Sequence, residues 1–263
     1  MPFQPRTLFI TGASSGIGAA LAQHYAAPGV RLGLLGRRAA ALETVAQDCR
    51  AAGAEVWCFQ ADVSDAAAMQ RAAADFIATA GLPDAVIASA GVSAGTLSEH
   101  AEDLAVIRRL LEINVFGLAA SFSPFIAPMR AAGGERRLVG LASVAGIRGL
   151  PGAEAYSASK AAAIAYLESL RLELRGSGIR VVTIAPGYID TPMTRINPYR
   201  MPFLLPAATA ARRFAAAIAR GRSYVVIPWQ MGLVAKLLRL LPNWLYDRLF
   251  AGAPHKPRGI LGD

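Results

Sequence analysis

The chain has 263 residues, of which 54% are hydrophobic and 17% are charged, so it can bury a large core and wholesale disorder is excluded. Its net charge of +9 is uneven, because residues 207–263 hold 9 Lys and Arg against 2 Asp and Glu, whereas residues 1–206 hold 18 against 16. A uniformly basic nucleic-acid-binding protein would not look like this, so we expect no nucleic-acid partner and expect any anionic partner to meet the C-terminal fifth.

Short apolar runs alternate with alanine-rich segments from residue 6 to about residue 228. The runs predict strands over residues 6–11, 31–36, 54–60, 84–89, 136–142, 179–185 and 224–227. The segments between them are long enough for helices, including residues 16–27, 38–52, 65–80, 99–131 and 155–176. Strands that are apolar throughout and separated by helices are typical of a parallel sheet covered on both faces. The sequence therefore predicts an α/β fold with a doubly wound parallel sheet of about seven strands. We expect one domain over residues 1–228 and a basic, amphipathic helical extension over residues 229–263.

A glycine-rich turn, TGASSGIG over residues 11–18, follows the first predicted strand and opens a helix. Gly12 allows a tight turn, Gly16 lets the backbone approach a pyrophosphate, and Gly18 allows close packing of the helix on the sheet. A glycine triplet alone is often only a turn. Its position between a first strand and a first helix favours a dinucleotide-binding site.

The residues after the second and third strands bear on the choice of cofactor. A cofactor with a free ribose 2′-hydroxyl prefers an acidic acceptor after the second strand, where this chain has Arg37 and Arg38. Arg37 suits a 2′-phosphate, so we expect NADP(H); the alternative is a solvated arginine pair at a helix start. After the third strand, Asp62 and Val63 suit the adenine edge, although Asp62 would serve equally well as a helix cap.

Tyr156 and Lys160 lie four residues apart in a predicted helix and therefore on one face of it. Ser143 follows the predicted strand 136–142. A free tyrosine titrates near about 10, and a nearby ammonium stabilises its phenolate. The Ser143 hydroxyl suits a substrate carbonyl oxygen on which charge develops. The three residues together predict acid–base chemistry on a carbonyl or alcohol.

A family resemblance rests on TGASSGIG, Asp62, Asn114, Ser143, Tyr156, Lys160 and Pro186-Gly187. In this order and spacing they resemble the short-chain dehydrogenase/reductase (SDR) family, over roughly residues 6–228. The resemblance implies a Rossmann-type fold. It also implies that Tyr156 is the general acid in carbonyl reduction and that Lys160 lowers its pKa and contacts the nicotinamide ribose. Ser143 would orient the carbonyl, and Asn114 would hold a water in a proton relay, with a helix-interior amide bonded to backbone as the alternative for Asn114.

The resemblance also implies a set of cofactor contacts. The implied residues are Gly12, Ser14, Ser15, Gly16, Ile17, Gly18, Arg37, Arg38, Asp62, Val63, Ala90, Gly91, Tyr156, Lys160, Pro186, Gly187, Ile189 and Thr191. Of these, Ile189 and Thr191 would lie near the nicotinamide carboxamide. The chain departs from the family at Ser89, where Asn is usual before Ala-Gly. We expect this departure to have a modest effect on stability and to leave catalysis intact.

Two segments bear on the substrate and on partners. Residues 195–206 occupy the place of a mobile substrate lid in this family, and their apolar residues favour a lipophilic or acyl-type carbonyl substrate, unless the segment simply packs on the core. In residues 229–250, leucines, tryptophans and basic residues suit an interfacial helix on an anionic membrane. The alternative is that this segment packs over the substrate entrance or against a second subunit.

Cysteine and histidine usage favours a cytoplasmic protein without a metal site. Cys49 and Cys58 are too few for a disulfide framework, and the three histidines show no metal-ligand spacing. The N-terminal residues show no signal-peptide pattern. The longest uncharged stretch, between Glu112 and Arg130, is broken by polar residues and prolines, so a core helix is expected there. We expect a cytoplasmic protein, with peripheral contact at the inner membrane face if residues 229–250 bind lipid.

The leading functional hypothesis is an NADPH-dependent ketoreductase or alcohol dehydrogenase that acts on a small-molecule carbonyl or alcohol. Two alternatives remain open: a non-catalytic NADP-binding regulatory or scaffold protein, and an epimerase or dehydratase that uses the same Tyr–Lys pair. The family resemblance further implies a homo-dimer or tetramer formed through the helices at 99–131 and 155–176.

Overall fold

A computed structural model describes residues 3–253 and 255–259, and nine strands lie within these residues. They are β1 (Thr7–Thr11), β2 (Arg31–Gly36), β3 (Glu55–Gln60), β4 (Ala85–Ala88), β5 (Arg136–Leu141), β6 (Ile179–Pro186), β7 (Ile189–Asp190), β8 (Leu205–Pro206) and β9 (Tyr224–Ile227). Seven of them form one parallel sheet in the order β3-β2-β1-β4-β5-β6-β9, and β7 pairs with β8 in a separate parallel ribbon. The predicted α/β fold with a seven-stranded, doubly wound parallel sheet is confirmed.

Ten α-helices lie within the described residues. They are α1 (Gly16–Tyr25), α2 (Ala39–Ala51), α3 (Ala66–Ala80), α4 (Asp103–Leu111), α5 (Gly117–Ala132), α6 (Glu154–Glu173), α7 (Pro192–Arg195), α8 (Ala207–Ala219), α9 (Trp229–Leu240) and α10 (Asn243–Phe250). Helices α1, α2 and α8 cover one face of the sheet, where Leu21 and Phe214 are fully buried. Helices α3, α5 and α6 cover the other face around Phe76, Phe125 and Leu167. Both sheet faces are therefore buried, which explains the continuously apolar strands.

The position of a strand in the sheet decides how apolar it is. All five residues of β1 are buried, because β1 is hydrogen-bonded to β2 on one side and to β4 on the other. The edge strand β3 contains only exposed and half-buried residues. From β1 the sheet continues to β2 and β3 on one side and to β4, β5, β6 and β9 on the other. The strand order therefore reverses between β1 and β4. In such sheets ligands bind in the crevice at the carboxyl ends of the strands at this point.

The predicted helix over residues 99–131 is broken into α4, a π-helical turn at Glu112–Phe116, and α5. The span Asp103–Ala132 is long and apolar enough to cross a membrane by length and composition alone. Phe122 and Phe125 are fully buried within the protein core, so this span packs as the core helix that the sequence predicts.

The C-terminal extension is docked on the domain through Arg148, which lies in the loop after β5. The Arg148 guanidinium carbon lies 3.8 Å from the centroid of the Tyr246 ring in α10. Arg148 also donates hydrogen bonds to the carbonyl oxygens of Leu238 and Leu241. The Tyr246 hydroxyl donates to the carbonyl oxygen of Gly149 at 2.6 Å. The predicted extension runs to residue 263, and its residues 254 and 260–263 lie outside the described residues.

Candidate active site

The glycine turn after β1 has the geometry of an anion cradle. Gly12 and Gly16 have φ values of +67° and +60°, which strongly favour glycine. A Cβ at Gly12 would lie 2.6 Å from the Ala90 backbone. Among the described residues no side chain caps the first turn of α1, so its N–H groups stay available at the end of the helix that favours negative charge. A pyrophosphate fits this cradle.

A cavity of about 180 Å³ lies beside the turn at the carboxyl ends of β1 to β4. Twelve of the eighteen implied cofactor residues line it: Gly12, Ser14, Ser15, Gly16, Ile17, Arg37, Arg38, Asp62, Val63, Ala90, Gly91 and Thr191. Ser89, which stands where the family usually has Asn, lines the same cavity. Gly18 packs behind the turn, where an added Cβ would collide with the Gly12 carbonyl. The residues present therefore fit the adenosine and pyrophosphate parts of a dinucleotide.

The basic residues after β2 lie at the rim of this cavity. Arg38 Nη2 donates to Ser15 Oγ at 2.9 Å, which joins the second strand-end loop to the glycine turn. Arg37 Nη1 lies 3.8 Å from Asp62 Oδ2. Two guanidinium groups therefore stand at the end of β2, at the rim of the cavity.

Asp62 is held in place by hydrogen bonds and is not a helix cap. It accepts hydrogen bonds from Ser64 N at 2.9 Å and Ser64 Oγ at 2.7 Å, and it forms an ion pair with Arg109. Burial disfavours its charged form, but the Ser64 and Arg109 contacts outweigh burial and lower the pKa of Asp62. The cap of α3 is Asp65, whose side chain accepts from Ala68 N. Sequence reasoning missed Arg109, because one arginine on an amphipathic helix carries no distinguishing pattern.

The three residues of the predicted catalytic group meet at the carboxyl end of the sheet. Tyr156 and Lys160 lie on one face of α6, and Lys160 Nζ is 5.9 Å from the centroid of the Tyr156 ring. Lys160 Nζ donates to the Leu141 carbonyl oxygen at 2.9 Å. Ser143 follows β5 by two residues, and its Oγ accepts a hydrogen bond from Ala145 N at 3.1 Å. All three line a cavity of about 90 Å³, together with Pro186, Gly187, Ile189 and Thr191.

Burial controls the protonation of this group. It raises the pKa of Tyr156, and the neighbouring Ser143 hydroxyl only partly opposes that shift. It lowers the pKa of Lys160 to about 8. Tyr156 is therefore fully protonated at neutral pH in the cofactor-free protein. That is the state a group needs if it is to donate a proton to a carbonyl oxygen.

Asn114 lies in the π-helical turn and joins it to the loop after β4. Its Oδ1 accepts from Val92 N at 2.9 Å, and its Nδ2 donates to Val92 O at 2.9 Å and to Ser159 Oγ at 3.0 Å. The contacts with Val92 are those expected from the alternative role of Asn114, a helix-interior amide bonded to backbone. Asn114 fixes the loop that carries Gly91, which lines both the dinucleotide cavity and the catalytic cavity.

A third cavity, of about 370 Å³, opens from Ser143 and Tyr156. Most of its wall is apolar or aromatic and includes Leu150, Pro151, Tyr188, Met193, Tyr199 and Phe250. The predicted lid contributes Asn197, Tyr199 and Arg200, whereas its apolar residues Phe203 and Leu204 face solvent. The extension contributes Phe250, Ala253 and Lys256, which sequence reasoning did not place here.

Comparison with known proteins agrees with this geometry. The family model described as short chain dehydrogenase matches residues 6–199. An uncharacterized oxidoreductase from Myxococcus xanthus is 39% identical over 242 residues, covering 92% of this chain and 95% of the relative. A cis-4-hydroxycyclohexanecarboxylate dehydrogenase from Sinomonas cyclohexanicum is 37% identical over 195 residues, covering 73% of this chain and 76% of the relative.

A solved structure extends the similarity to the whole chain. The short chain dehydrogenase/reductase from Burkholderia phymatum, in complex with NAD, matches with a TM-score of 0.82 at 25% identity, and the match covers 98% of this chain and 99% of that one. The family predicted from the motifs is confirmed. This chain belongs to the short-chain dehydrogenase/reductase family, whose members are oxidoreductases that use a nicotinamide cofactor.

Proposed function

We propose that the protein is an NADPH-dependent reductase of ketones, or equally a dehydrogenase of the corresponding secondary alcohols. The observation that carries this proposal is the meeting of Ser143, Tyr156 and Lys160 between a dinucleotide cavity and a largely apolar substrate cavity. An enzyme of this class needs both cavities to open on one proton donor. Here Ser143 and Tyr156 line the catalytic and the substrate cavities, and the catalytic cavity shares Gly91 and Thr191 with the dinucleotide cavity.

Each catalytic side chain has a separate task in the proposed reaction. When bound, the nicotinamide supplies or accepts the hydride. Tyr156 Oη donates a proton to the carbonyl oxygen, and the Ser143 hydroxyl donates a hydrogen bond to the same oxygen as negative charge develops. The Lys160 ammonium stabilises the phenolate that remains. Leu141 orients Lys160 by accepting its hydrogen bond.

The preference for NADPH rests on Arg37 and Arg38. Both line the cavity at the end of β2, and the carboxylate nearest in the site, that of Asp62, forms ion pairs with Arg109 and Arg37 and accepts hydrogen bonds from Ser64. A 2′-phosphate therefore meets guanidinium groups, whereas a free 2′-hydroxyl lacks an acidic acceptor directly after β2. The Burkholderia phymatum relative was solved with NAD, so the cofactor preference of this chain requires its own measurement.

The substrate we propose is lipophilic, because the 370 Å³ cavity is walled mainly by aliphatic and aromatic side chains. The relative from Sinomonas cyclohexanicum is named for a hydroxycyclohexanecarboxylate, which is a secondary alcohol on a ring. A ring of that size suits a cavity bordered by Tyr188, Tyr199 and Phe250.

We also propose a lipid contact for residues 229–250 at the cytoplasmic face of a membrane. Large hydrophobic side chains in this segment face solvent: Trp229, Leu233, Val234, Leu237, Leu240, Trp244 and Leu249. Lys236, Arg239 and Arg248 lie on the same two helices, so the charge favours anionic headgroups. For self-association we propose a different surface on α4 and α6, where Leu104 and Leu172 are exposed.

The proposal is tested by assaying a panel of ketones and 3-oxoacyl thioesters with NADPH and with NADH. Wild-type protein should consume NADPH stoichiometrically in a single turnover with at least one ketone. Tyr156→Phe should lose at least about 100-fold in kcat while it still binds NADPH. A protein that binds NADPH but turns over none of the panel would support a regulatory protein. Product isomerisation without net NADPH consumption would support an epimerase.

A further inference from the structure

The last described residues, 255–259, cross the catalytic end of the sheet as a strap and are held there at three points. Gly95 N donates to the Pro257 carbonyl oxygen at 2.9 Å. Arg258 donates hydrogen bonds to both carboxylate oxygens of Asp103 at 3.1 Å and to Glu102 at 2.9 Å. Gly95 also lies so close to the Lys256 backbone that a side chain at residue 95 would collide with it. The contacts of Gly95 with Lys256 and Pro257, and those of Arg258 with Glu102 and Asp103, therefore fix the backbone position of Lys256.

The strap places the Lys256 ammonium in the substrate cavity. Its Nζ lies 4.7 Å from the centroid of the Tyr156 ring, which is closer than the 5.9 Å of Lys160 Nζ. It donates a hydrogen bond to the hydroxyl of Ser93, which is itself fully buried. Burial lowers the pKa of Lys256 to about 8, so the side chain is still mainly an ammonium at neutral pH.

The walls of this cavity supply no negative charge to balance the ammonium. Among the described residues that line the cavity there is no Asp or Glu, and the one further ionic side chain is Arg200, an exposed cation at the mouth. An ammonium removed from water is costly unless an anion accompanies it. The neutral Ser93 hydroxyl and the face of the Tyr156 ring are weak partners for it. The wall of the cavity is therefore mainly apolar, and its charge is positive. This combination favours an apolar molecule that carries an anionic group.

We propose that Lys256 is a specificity-determining residue that binds a carboxylate of the substrate, so that the substrate is a small oxo acid or hydroxy acid with an apolar body. This inference rests on the proposed function, because it assigns a substrate class to that same site. Since the ammonium lies over the Tyr156 ring, the carboxylate and the reacting carbonyl are separated by only a few bonds. A ring of six carbons with the two groups on different carbons meets this requirement.

Binding without turnover gives the first test. The probes are cyclohexanecarboxylate and its neutral analogue cyclohexanecarboxamide, titrated by calorimetry into the full chain with saturating NADP+. Wild-type protein should bind the carboxylate at least about tenfold more tightly than the amide, as expected for a charge-assisted hydrogen bond. Lys256→Gln should abolish that preference, and Lys256→Arg should retain most of it. Arg71→Gln, which removes an exposed cation on α3, is the control and should behave like wild type.

Kinetics give the second test, with 3- and 4-oxocyclohexanecarboxylate and their primary amides as substrates. Lys256→Gln should raise KM for the oxo acids at least about tenfold, with KM for the amides and kcat for both classes nearly unchanged. An equal fall in kcat for acids and amides would overturn the proposal, because Lys256 would then act through Tyr156. Equal binding of carboxylate and amide by wild-type protein would overturn it as well.

The two proposals fail in different ways. If wild-type protein reduces none of the ketones but still prefers the carboxylate in calorimetry, the reductase function fails and the assignment of Lys256 stands. If neutral ketones are reduced as well as oxo acids and Lys256→Gln changes neither, the assignment of Lys256 fails and the reductase function stands. An unchanged KM of Lys256→Gln for the amides excludes misfolding as the reason for its loss of the preference.

Discussion

Lys160 Nζ donates a 2.9 Å hydrogen bond to the carbonyl oxygen of Leu141, the last residue of β5. This bond ties α6, which carries Tyr156, to the strand whose continuation carries Ser143 two residues later. The Lys160 side chain, by contacting the backbone of β5, therefore helps to bring together the proposed acid–base group of Ser143, Tyr156 and Lys160. The ammonium that makes this contact is almost fully buried, and its protonation should be visible in the stability of the protein.

We expect the stability of the cofactor-free protein to depend on pH through Lys160. Its pKa is lowered to about 8 in the folded protein, against about 10.4 in the unfolded chain. Between these values the unfolded chain binds more protons, so this residue makes the free energy of unfolding rise with pH. Compared with Lys160→Met, wild-type protein should gain roughly 3 kcal/mol between pH 7 and pH 11. Urea unfolding of both proteins at several pH values measures the difference, and parallel curves would contradict the buried ammonium.

Arg37→Ala should change the cofactor preference. Loss of the guanidinium removes a charge-assisted contact with the 2′-phosphate, so KM for NADPH should rise about tenfold while KM for NADH changes little. Steady-state kinetics with both cofactors measures the ratio. Arg71→Ala, on the exposed side of α3, is the control. A wild-type enzyme that already prefers NADH would show that the arginines after β2 do not select the cofactor.

Arg148→Ala should loosen the extension while leaving the dinucleotide cavity intact. Arg148 contacts the Tyr246 ring and two backbone carbonyl groups at the end of α9, so its loss leaves polar groups unpaired and should cost about 1–3 kcal/mol. Limited proteolysis should then cut within residues 229–253, and KM for the substrate should rise. Tyr246→Phe, which removes only the bond to Gly149, should cost about 1 kcal/mol. Unchanged proteolysis of Arg148→Ala would show that other contacts hold the extension.

The lipid contact predicts co-sedimentation with vesicles that contain anionic phospholipid. Replacing Leu233, Leu237 and Trp244 together by serine should abolish it, because these exposed side chains supply the apolar area that enters the bilayer interface. Added salt should weaken binding of the wild-type protein, since three basic residues contribute. If the triple variant instead lowers the molecular mass in solution and vesicles never bind the wild type, the surface is an interface between two copies of this chain.

The strands of the sheet were predictable because the hydrophobic pattern of each strand agrees with its position in the sheet. Each central strand is largely buried on both faces, so it is mainly apolar, and every strand of the large sheet was predicted to within about two residues. The glycine turn and the Tyr156–Lys160 pair were predictable for a similar reason, since their chemistry needs particular residues at fixed spacing. The π-helical turn around Asn114 was not predictable, because its sequence is compatible with a regular helix.

The substrate side of the site was much less predictable. The apolar residues of the segment 195–206 predicted an apolar lid. In the structure Phe203 and Leu204 face solvent, whereas Asn197 and Arg200 line the 370 Å³ cavity. Lys256 gave no signal at all in the sequence. Its place depends on a Gly95 contact and an Arg258–Asp103 ion pair between segments more than 150 residues apart, and no local pattern encodes such a contact.

The wall of the substrate cavity formed by Phe250, Ala253 and Lys256 lies outside residues 6–199, the part of the chain that matches the family model. The reacting groups and the dinucleotide cradle lie inside it. We therefore expect mutations in the tail to alter which molecules are accepted without changing the residues proposed for hydride transfer. We also expect a library of variants confined to residues 229–259 to change substrate selectivity.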